Sequence, residues 1–288
     1  MSLRAVLFDV DGTLADTEAL GHRPAYNHAF RKLGLDLRWD AELYRELLKQ
    51  PGGRERLKHF VQHYRPCLGD QQPRTEAELD AWVAKVHALK SHYFRQRMRQ
   101  GEVPLRPGIA RLMREARIQG LRLAIVTNAS LKTLKPVLQY SMGPELSAEI
   151  EVIASGEEVT HKKPAADVYC LALRRLGLSA RDCVALEDSE MGLRAATAAG
   201  VAAIVTINSD TVDQNFSSAA LVVSSLGEPG APARVLRGGA LTPPWVTLKT
   251  LQDIAAQRAG AEGGAGDACA SASSPLLAHS GEATPCRF

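Results

Sequence analysis

Asp9 and Asp11 stand two residues apart at the end of an apolar run, Val6-Leu7-Phe8-Asp9-Val10-Asp11-Gly12-Thr13-Leu14. The stretch from Leu3 to Phe8 reads as a buried β-strand. Two carboxylates at its carboxyl end repel each other and are costly to desolvate. A structural role seldom accounts for that cost, whereas a hard divalent cation together with a phosphoryl group does. Three later segments carry further signals. Leu123-Ala124-Ile125-Val126 runs into Thr127-Asn128-Ala129-Ser130, where Ser130 suits the N-cap of a helix starting at Leu131. A hydroxyl and free amides there suit a phosphoryl oxygen. In His161-Lys162-Lys163-Pro164, Pro164 suits the first position of a helix over Ala165 to Leu176. Lys163 then stands at a helix entrance, where a cation gains nothing from the dipole and is better explained by an anion facing it. Finally, Val184-Ala185-Leu186 ends in Glu187-Asp188-Ser189, before a helix from Met191 to Ala199 that Gly200 closes. Hard carboxylate oxygens in that place suit Mg²⁺.

Taken singly, each segment has an ordinary reading: an acidic turn, a helix cap, two solvated lysines, an N-cap acid. Their order carries the weight. An acid-x-acid strand, a Thr strand, a Lys-Pro segment and an acid-pair strand resemble the four motifs of the haloacid dehalogenase-like superfamily. The resemblance runs over about residues 3 to 226. Asp11 separates the chain from the dehalogenase branch, which lacks the second acid and needs no metal, and places it with the Mg²⁺-dependent phosphatases. A closer likeness lies in Glu18, Tyr44, Gly52-Gly53-Arg54-Glu55-Arg56, His87-Ala88-Leu89-Lys90, Leu105-Arg106-Pro107-Gly108-Ile109 and Lys162-Lys163-Pro164-Ala165. These resemble the CbbY subfamily, which implies an enzyme tied to the Calvin cycle that dephosphorylates xylulose 1,5-bisphosphate, an inhibitor of Rubisco. Arg54 departs from the usual Lys, and residues 127–130 depart from the usual Thr-rich run.

The elements that must position these groups fall into three stretches. Residues 1–15 and 104–227 alternate strand and helix, with strands at Leu121–Thr127, Glu149–Ala154, the run into Glu187, Val201–Thr206 and Leu221–Val223. That pattern predicts an α/β, doubly wound, Rossmann-like parallel sheet. Ligands bind outside the carboxyl ends of such strands, where all four motifs fall. Residues 16–103 read as helices over Glu18–Leu33, Ala41–Lys49, Arg54–Tyr64 and Glu76–Gln100, which the resemblance identifies as an inserted four-helix cap that sets substrate preference. This insert holds 16 Lys/Arg against 12 Asp/Glu and six of the eight histidines, while the whole chain is only +3. Residues 228–288 form an extension with a short helix over Leu248–Arg258. Residues 259–288, rich in Ala, Gly and Ser, are expected to be disordered.

The resemblance implies roles residue by residue. Asp9 is the nucleophile and forms an aspartyl-phosphate. Asp11 protonates the leaving alkoxide and then takes a proton from water, so its pKa should exceed that of Asp9. Gly12 allows the tight turn. Mg²⁺ is held by Asp9, the Asp11 carbonyl and Asp188, with Glu187 either a ligand or a partner of one. Thr127, Asn128, Ala129, Ser130, Lys132 and Lys163 face the transferring phosphoryl group. In the cap, the Pro51–Arg54 loop offers amides, a helix start, Arg54 and Arg56 to a second anion. His87 and Lys90, three apart, share a helix face. Glu18, Tyr44, Gly52, Gly53 and Glu55 complete the substrate contacts. Two anion sites suit a bisphosphate. Rival readings are a phosphosugar mutase of the β-phosphoglucomutase type, a phosphatase for a small metabolite such as phosphoglycolate, and a non-catalytic sugar-phosphate sensor.

The net charge of +3 does not call for nucleic acid. No apolar stretch approaches the roughly 20 residues a membrane span needs. The first strand begins at Leu3, which leaves no room for a leader. Five cysteines without CxxC spacing are expected to be reduced thiols. These features together predict a cytoplasmic monomer whose partner is a small phosphorylated sugar.

Overall fold

The computed structural model describes residues 3–50, 52–261 and 269. Seven strands form one sheet: β1 Ala5–Phe8, β2 Arg122–Thr127, β3 Ile150–Ser155, β4 Cys183–Glu187, β5 Ala202–Thr206, β6 Leu221–Val223 and β7 Val235–Arg237. Their order is β3-β2-β1-β4-β5-β6-β7. All neighbours pair in parallel except β6 and β7. β1, β4, β5 and β6 are buried on both faces, as expected of parallel strands with helices on either side. This is the α/β, doubly wound arrangement that the sequence predicts. β1 lies at the centre, and chain order reverses between β1 and β4, so the crevice at their carboxyl ends is the place for a ligand.

Helices cover both faces. One apolar cluster packs α5 (Ile109–Ile118) and α10 (Leu248–Ala261) on the sheet, through Leu112, Met113, Leu251 and Ile254 against Val6, Phe8, Ile125 and Ile204. The other face carries α8 (Asp167–Leu176) and α9 (Glu190–Ala198), with Tyr169, Leu173 and Leu193 against Leu7, Val126 and Val205. Short helices α6 (Leu131–Pro136) and α7 (Gly143–Ser147) follow β2.

Between β1 and β2 lie α1 (Arg23–Lys32), α2 (Ala41–Leu48), α3 (Gly53–Tyr64) and α4 (Glu76–Arg99). They own a separate apolar cluster around Trp39, which touches Tyr26, Phe30, Tyr44 and Phe60. A Thr75–Glu78 capping box starts α4. The two chain links to the sheet pair with each other, with Ala15 opposite Leu105.

Several expectations need correction. The first insert helix begins as a π-helical stretch, Thr17–His22, and becomes α-helical only from Arg23; Pro24 has no N–H to donate, so the hydrogen-bond register resets there. Pro164 does not open α8, which starts at Asp167. The Asn128 side chain instead accepts from the Lys163 N–H at 2.9 Å and ties that backbone to the loop after β2. The edge strand β7 was not anticipated: it is three residues long and largely exposed, so its pattern is weak. The cysteines are not all reduced. Cys170 of α8 is bonded to Cys269, with the Cα atoms 5.4 Å apart, a span that a disulfide bridges. Cys67 and Cys183 are free, and Cys286 lies outside the described residues. Within the stretch expected to be disordered, α10 runs on to Ala261 and Cys269 is bonded; the remainder lies outside the described residues. Among the described residues, no helix is long and apolar enough to cross a membrane.

Candidate active site

The carboxyl ends of β1, β2 and β4 bring four groups together. Lys163 Nζ donates to Asp9 Oδ1 at 2.7 Å, to Glu187 Oε1 at 2.7 Å and to the Val126 carbonyl at 2.8 Å. An ammonium has three donors, and here all three are used. Burial disfavours its charged form, but Asp9 and Glu187 outweigh that and hold it charged. Tyr169 of α8 donates to the same Glu187 oxygen at 2.5 Å.

Asp9, Glu187 and Asp188 each place a carboxylate oxygen within 4.8 Å of the others, and all three are buried. One lysine does not neutralise them. Burial, then the charge of Asp9 against the partial relief of Lys163, pushes the Glu187 carboxyl up to about 7. Asp188 is pushed well above the carboxylate range by burial and by Asp9 and Glu187. Glu187 Oε2 is buried without a hydrogen-bond partner. A buried, under-neutralised set of hard oxygens fits a divalent cation of the Mg²⁺ kind. Two glycines make this packing possible. A Cβ on Gly192 would lie 1.8 Å from Glu187 Oε2, and one on Gly12, whose φ is +86°, would lie 2.1 Å from Asp188 Oδ2.

The Asp11 carboxylate is not part of this cluster. It accepts from Thr17 Oγ1 at 2.5 Å. Burial, followed by the nearby Glu18, pushes it up to about 7. It therefore sits in an environment unlike that of Asp9, which is paired with a lysine.

Thr127 is buried at the end of β2, and its hydroxyl accepts from the Ala129 N–H at 3.0 Å. Asn128 grips Lys163 through its backbone N–H and, at 3.3 Å, its carbonyl. Ser130 caps α6 by accepting from the Thr133 N–H at 3.1 Å, as expected. Lys132 is exposed in the first turn of α6.

The insert presents its own charged cluster. Tyr44 donates to Glu18 Oε2 at 2.5 Å, and Arg56 Nη1 donates to the Tyr44 oxygen at 3.0 Å. Arg56 also reaches the Leu47 carbonyl and lies 3.7 Å from Glu18. Arg56 was expected to be available to an anion. It is buried and engaged with Glu18 and Tyr44, two other residues that the resemblance places on the substrate. Lys90 is buried over the rings of Tyr26 and Phe94, 5.1 and 5.5 Å from their centres. Burial lowers it to about 8, with Glu18 opposing. His87 lies beside Gly53, where a Cβ would come within 3.0 Å of its Nε2. Burial, then Lys90 and Arg54, pushes His87 down to about 4. Glu55 folds back on Gly52, where a Cβ would lie 2.2 Å from its Oε2.

Sequence reading missed Thr17, Tyr26, Tyr169 and Asn208. Tyr26 donates to the Gly53 carbonyl at 2.9 Å, and Asn208 Nδ2 donates to Asp188 Oδ2 at 2.7 Å. Only Thr17 had a local signal, six residues after Asp11.

Residues 3–200 match the model of the haloacid dehalogenase-like hydrolases. The chain belongs to that family. It is 44% identical to the CbbY protein of Cupriavidus necator over 230 residues, 80% of this chain and 88% of that one. CbbY of Rhodobacter sphaeroides in complex with phosphate is 42% identical, with a TM-score of 0.67, covering 79% of this chain and 96% of that one. An Asp-to-Asn variant of the same protein, solved with xylulose 1,5-bisphosphate, matches at 41% identity and the same TM-score and coverage. The chain is thus an enzyme, a phosphatase of the CbbY type.

Proposed function

We propose that the protein is a Mg²⁺-dependent phosphatase for a sugar bisphosphate, xylulose 1,5-bisphosphate being the first choice, and that it acts through an aspartyl-phosphate on Asp9. The observation that carries this reading is the contrast between Asp9, paired with Lys163, and Asp11, held apart on Thr17 and pushed up to about 7. One carboxylate is set against a lysine and placed for attack, and the other is poised to hold a proton near neutrality. Asp9, Asp188 and the Asp11 carbonyl would hold the cation, with Glu187 beside them. When bound, that cation supplies neutralisation of phosphoryl and carboxylate charge.

An Asp9 oxygen attacks phosphorus and the phosphorus–sugar oxygen bond breaks. Asp11 gives its proton to the departing alkoxide. Asp11 then takes a proton from a water molecule, whose oxygen attacks phosphorus and frees Asp9 and inorganic phosphate. Thr127 and the amides beyond it orient the phosphoryl oxygens, and Lys163 opposes their charge. Residues 1–15 and 104–227 carry this chemistry. Residues 16–103 act as the cap, whose Arg54, His87 and Lys90 would face the phosphate that stays on the sugar. The enzyme would then remove an inhibitor of Rubisco beside the Calvin cycle.

The test is release of inorganic phosphate from xylulose 1,5-bisphosphate, fructose 1,6-bisphosphate, β-glucose 1-phosphate and phosphoglycolate. The expected result is highest kcat/KM on the first. Preference for phosphoglycolate would overturn the substrate. Migration of the phosphoryl group without its release would make the enzyme a mutase.

A further inference from the structure

Arg106 belongs to the Leu105-Arg106-Pro107-Gly108-Ile109 segment and has no part in the chemistry above. It lies on the second of the two links between the sheet and the insert, and is 8% exposed. Its guanidinium donates to the Gly12 carbonyl, to the Thr206 carbonyl and hydroxyl at 2.9 Å each, and to the carbonyls of Ile207 at 2.5 Å and Ser224 at 3.1 Å. Its Nε lies 3.2 Å from Asp16 Oδ1. Its backbone N–H donates to the Leu14 carbonyl at 2.8 Å.

These partners come from four separate places, one of them Ser224 just after β6. Gly12 follows Asp11 and carries its turn. Leu14 and Asp16 form the first link to the insert. Thr206 and Ile207 end β5 and lead into Asn208, which holds Asp188. No other side chain has a planar fork of five donors able to serve so many carbonyls at once, and lysine offers only a point charge with three. An apolar residue would leave several buried carbonyls without donors.

We infer that Arg106 is a positioning residue for the reaction: it clamps the Asp11 turn, the loop that carries Asn208 and the hinge of the insert into one unit. The placement of Asp11 and Asp188 relative to Asp9 is thereby fixed together with the stance of the insert. The inference rests on the reading of Asp9 and Asp11 as the reacting pair. Wild-type phosphate release therefore tests that reading, and the variants test this one.

Arg106→Lys is compared with wild type for kcat, for KM and for the Mg²⁺ concentration at the midpoint of the Mg²⁺-induced rise in melting temperature. The last readout needs no turnover. In protein shown folded by circular dichroism, kcat should fall about 10- to 100-fold with KM within threefold. The Mg²⁺ midpoint should rise several-fold, because the loop that holds Asp188 has lost its anchor. A purely structural role would lower the melting temperature without this split. A kcat within threefold of wild type and an unmoved Mg²⁺ midpoint overturn the inference. If Arg106→Lys does not fold, Asp16→Asn removes only the hinge partner. It should lower kcat about fivefold at unchanged KM and melting temperature, and a kcat equal to wild type overturns the coupling to the hinge.

Discussion

The sheet edge and the insert face err in opposite directions. At the sheet edge, one lysine faces three buried carboxylates, and two of those carboxyls are pushed upward. On the insert, Lys90, His22 and His87 are crowded with Arg56 and Arg54, and their pKa values are pushed down to about 8, about 3 and about 4. Burial is the first cause in each case; charge crowding adds to it at the carboxyls and histidines, while at Lys90 the nearby Glu18 opposes it. The first region sets three carboxylates against one lysine, and in the second Lys90, Arg54 and Arg56 press on the two histidines. On the function proposed above, a cation at one and a phosphate at the other would relieve both. Uncompensated buried charge costs stability, so each region holds stability in reserve for its ligand.

The strongest break in that comparison is Asp9→Asn. An amide is no nucleophile towards phosphorus, while its shape is nearly that of the acid. Turnover should fall by at least about 10⁴-fold, as for removal of a nucleophile that works within a catalytic unit, with the circular dichroism spectrum unchanged. Turnover within tenfold of wild type in folded protein would sink the covalent route.

Arg54→Ala probes the insert side. Arg54 enters α3 far in sequence from every sheet motif. Loss of one charge-assisted contact costs roughly 1.5–3 kcal/mol, or about 10- to 150-fold in kcat/KM. The loss should appear with a sugar bisphosphate and be nearly absent with para-nitrophenyl phosphate. Equal losses on both substrates would move the second anion site to His87 and Lys90.

Legibility in the sequence followed the range of the interactions. The strand ends carrying Asp9, Thr127 and Glu187 were readable because an apolar run and its terminal acid are neighbours. The four insert helices were readable from their helical pattern, apart from the π-helical start at Thr17–His22. The pairing of Arg56 with Glu18 and Tyr44 was not readable because those partners lie 38 and 12 residues away, and spacing alone does not say which arginine turns inward. Tyr169 and Asn208 act on Glu187 and Asp188 across 18 and 20 residues with no motif of their own. The turn at Lys163 depends on Asn128, 35 residues earlier. The Cys170–Cys269 bond spans 99 residues into a stretch of small side chains, where composition gives no hint of docking.

Neutralising either region should stabilise the protein while damaging it. Asp188→Asn removes a carboxyl held well above its ordinary range. Raised carboxyl pKa values mean that the folded state binds more protons than the unfolded chain, from about pH 4.5 up to the folded value. With Glu187 at about 7, this site therefore loses stability as pH rises from about 4.5 to about 7. His22 and His87, depressed, contribute the opposite slope, from about 3 to 6.5 for the first and from about 4 to 6.5 for the second. Comparing metal-free wild type with Asp188→Asn cancels the histidines. The variant should gain about 1–3 kcal/mol at pH 8, less at pH 5, and lose the rise in melting temperature on adding Mg²⁺. An equal gain at both pH values would show that Asp188 is not under charge stress.

The smallest expected effect lies outside both regions. Cys269→Ser cuts the bond from the C-terminal extension to α8, beside Tyr169. A closed loop of 99 residues restricts the unfolded chain, and such bonds stabilise by about 2–4 kcal/mol. The melting temperature should fall by several degrees, and a dithiol reductant should lower wild type to the same value. Turnover at 25 °C should stay within about twofold, because α8 keeps its packing on the sheet through Val168, Leu173 and Leu176, and Tyr169 keeps its bond to Glu187. The variant is thus the mirror image of Asp188→Asn: stability falls and function stays, where there stability rises and function goes. A loss of turnover in step with the fall in melting temperature would show that the extension helps to hold Glu187 in place. An unchanged melting temperature would show that the bond adds nothing to the fold.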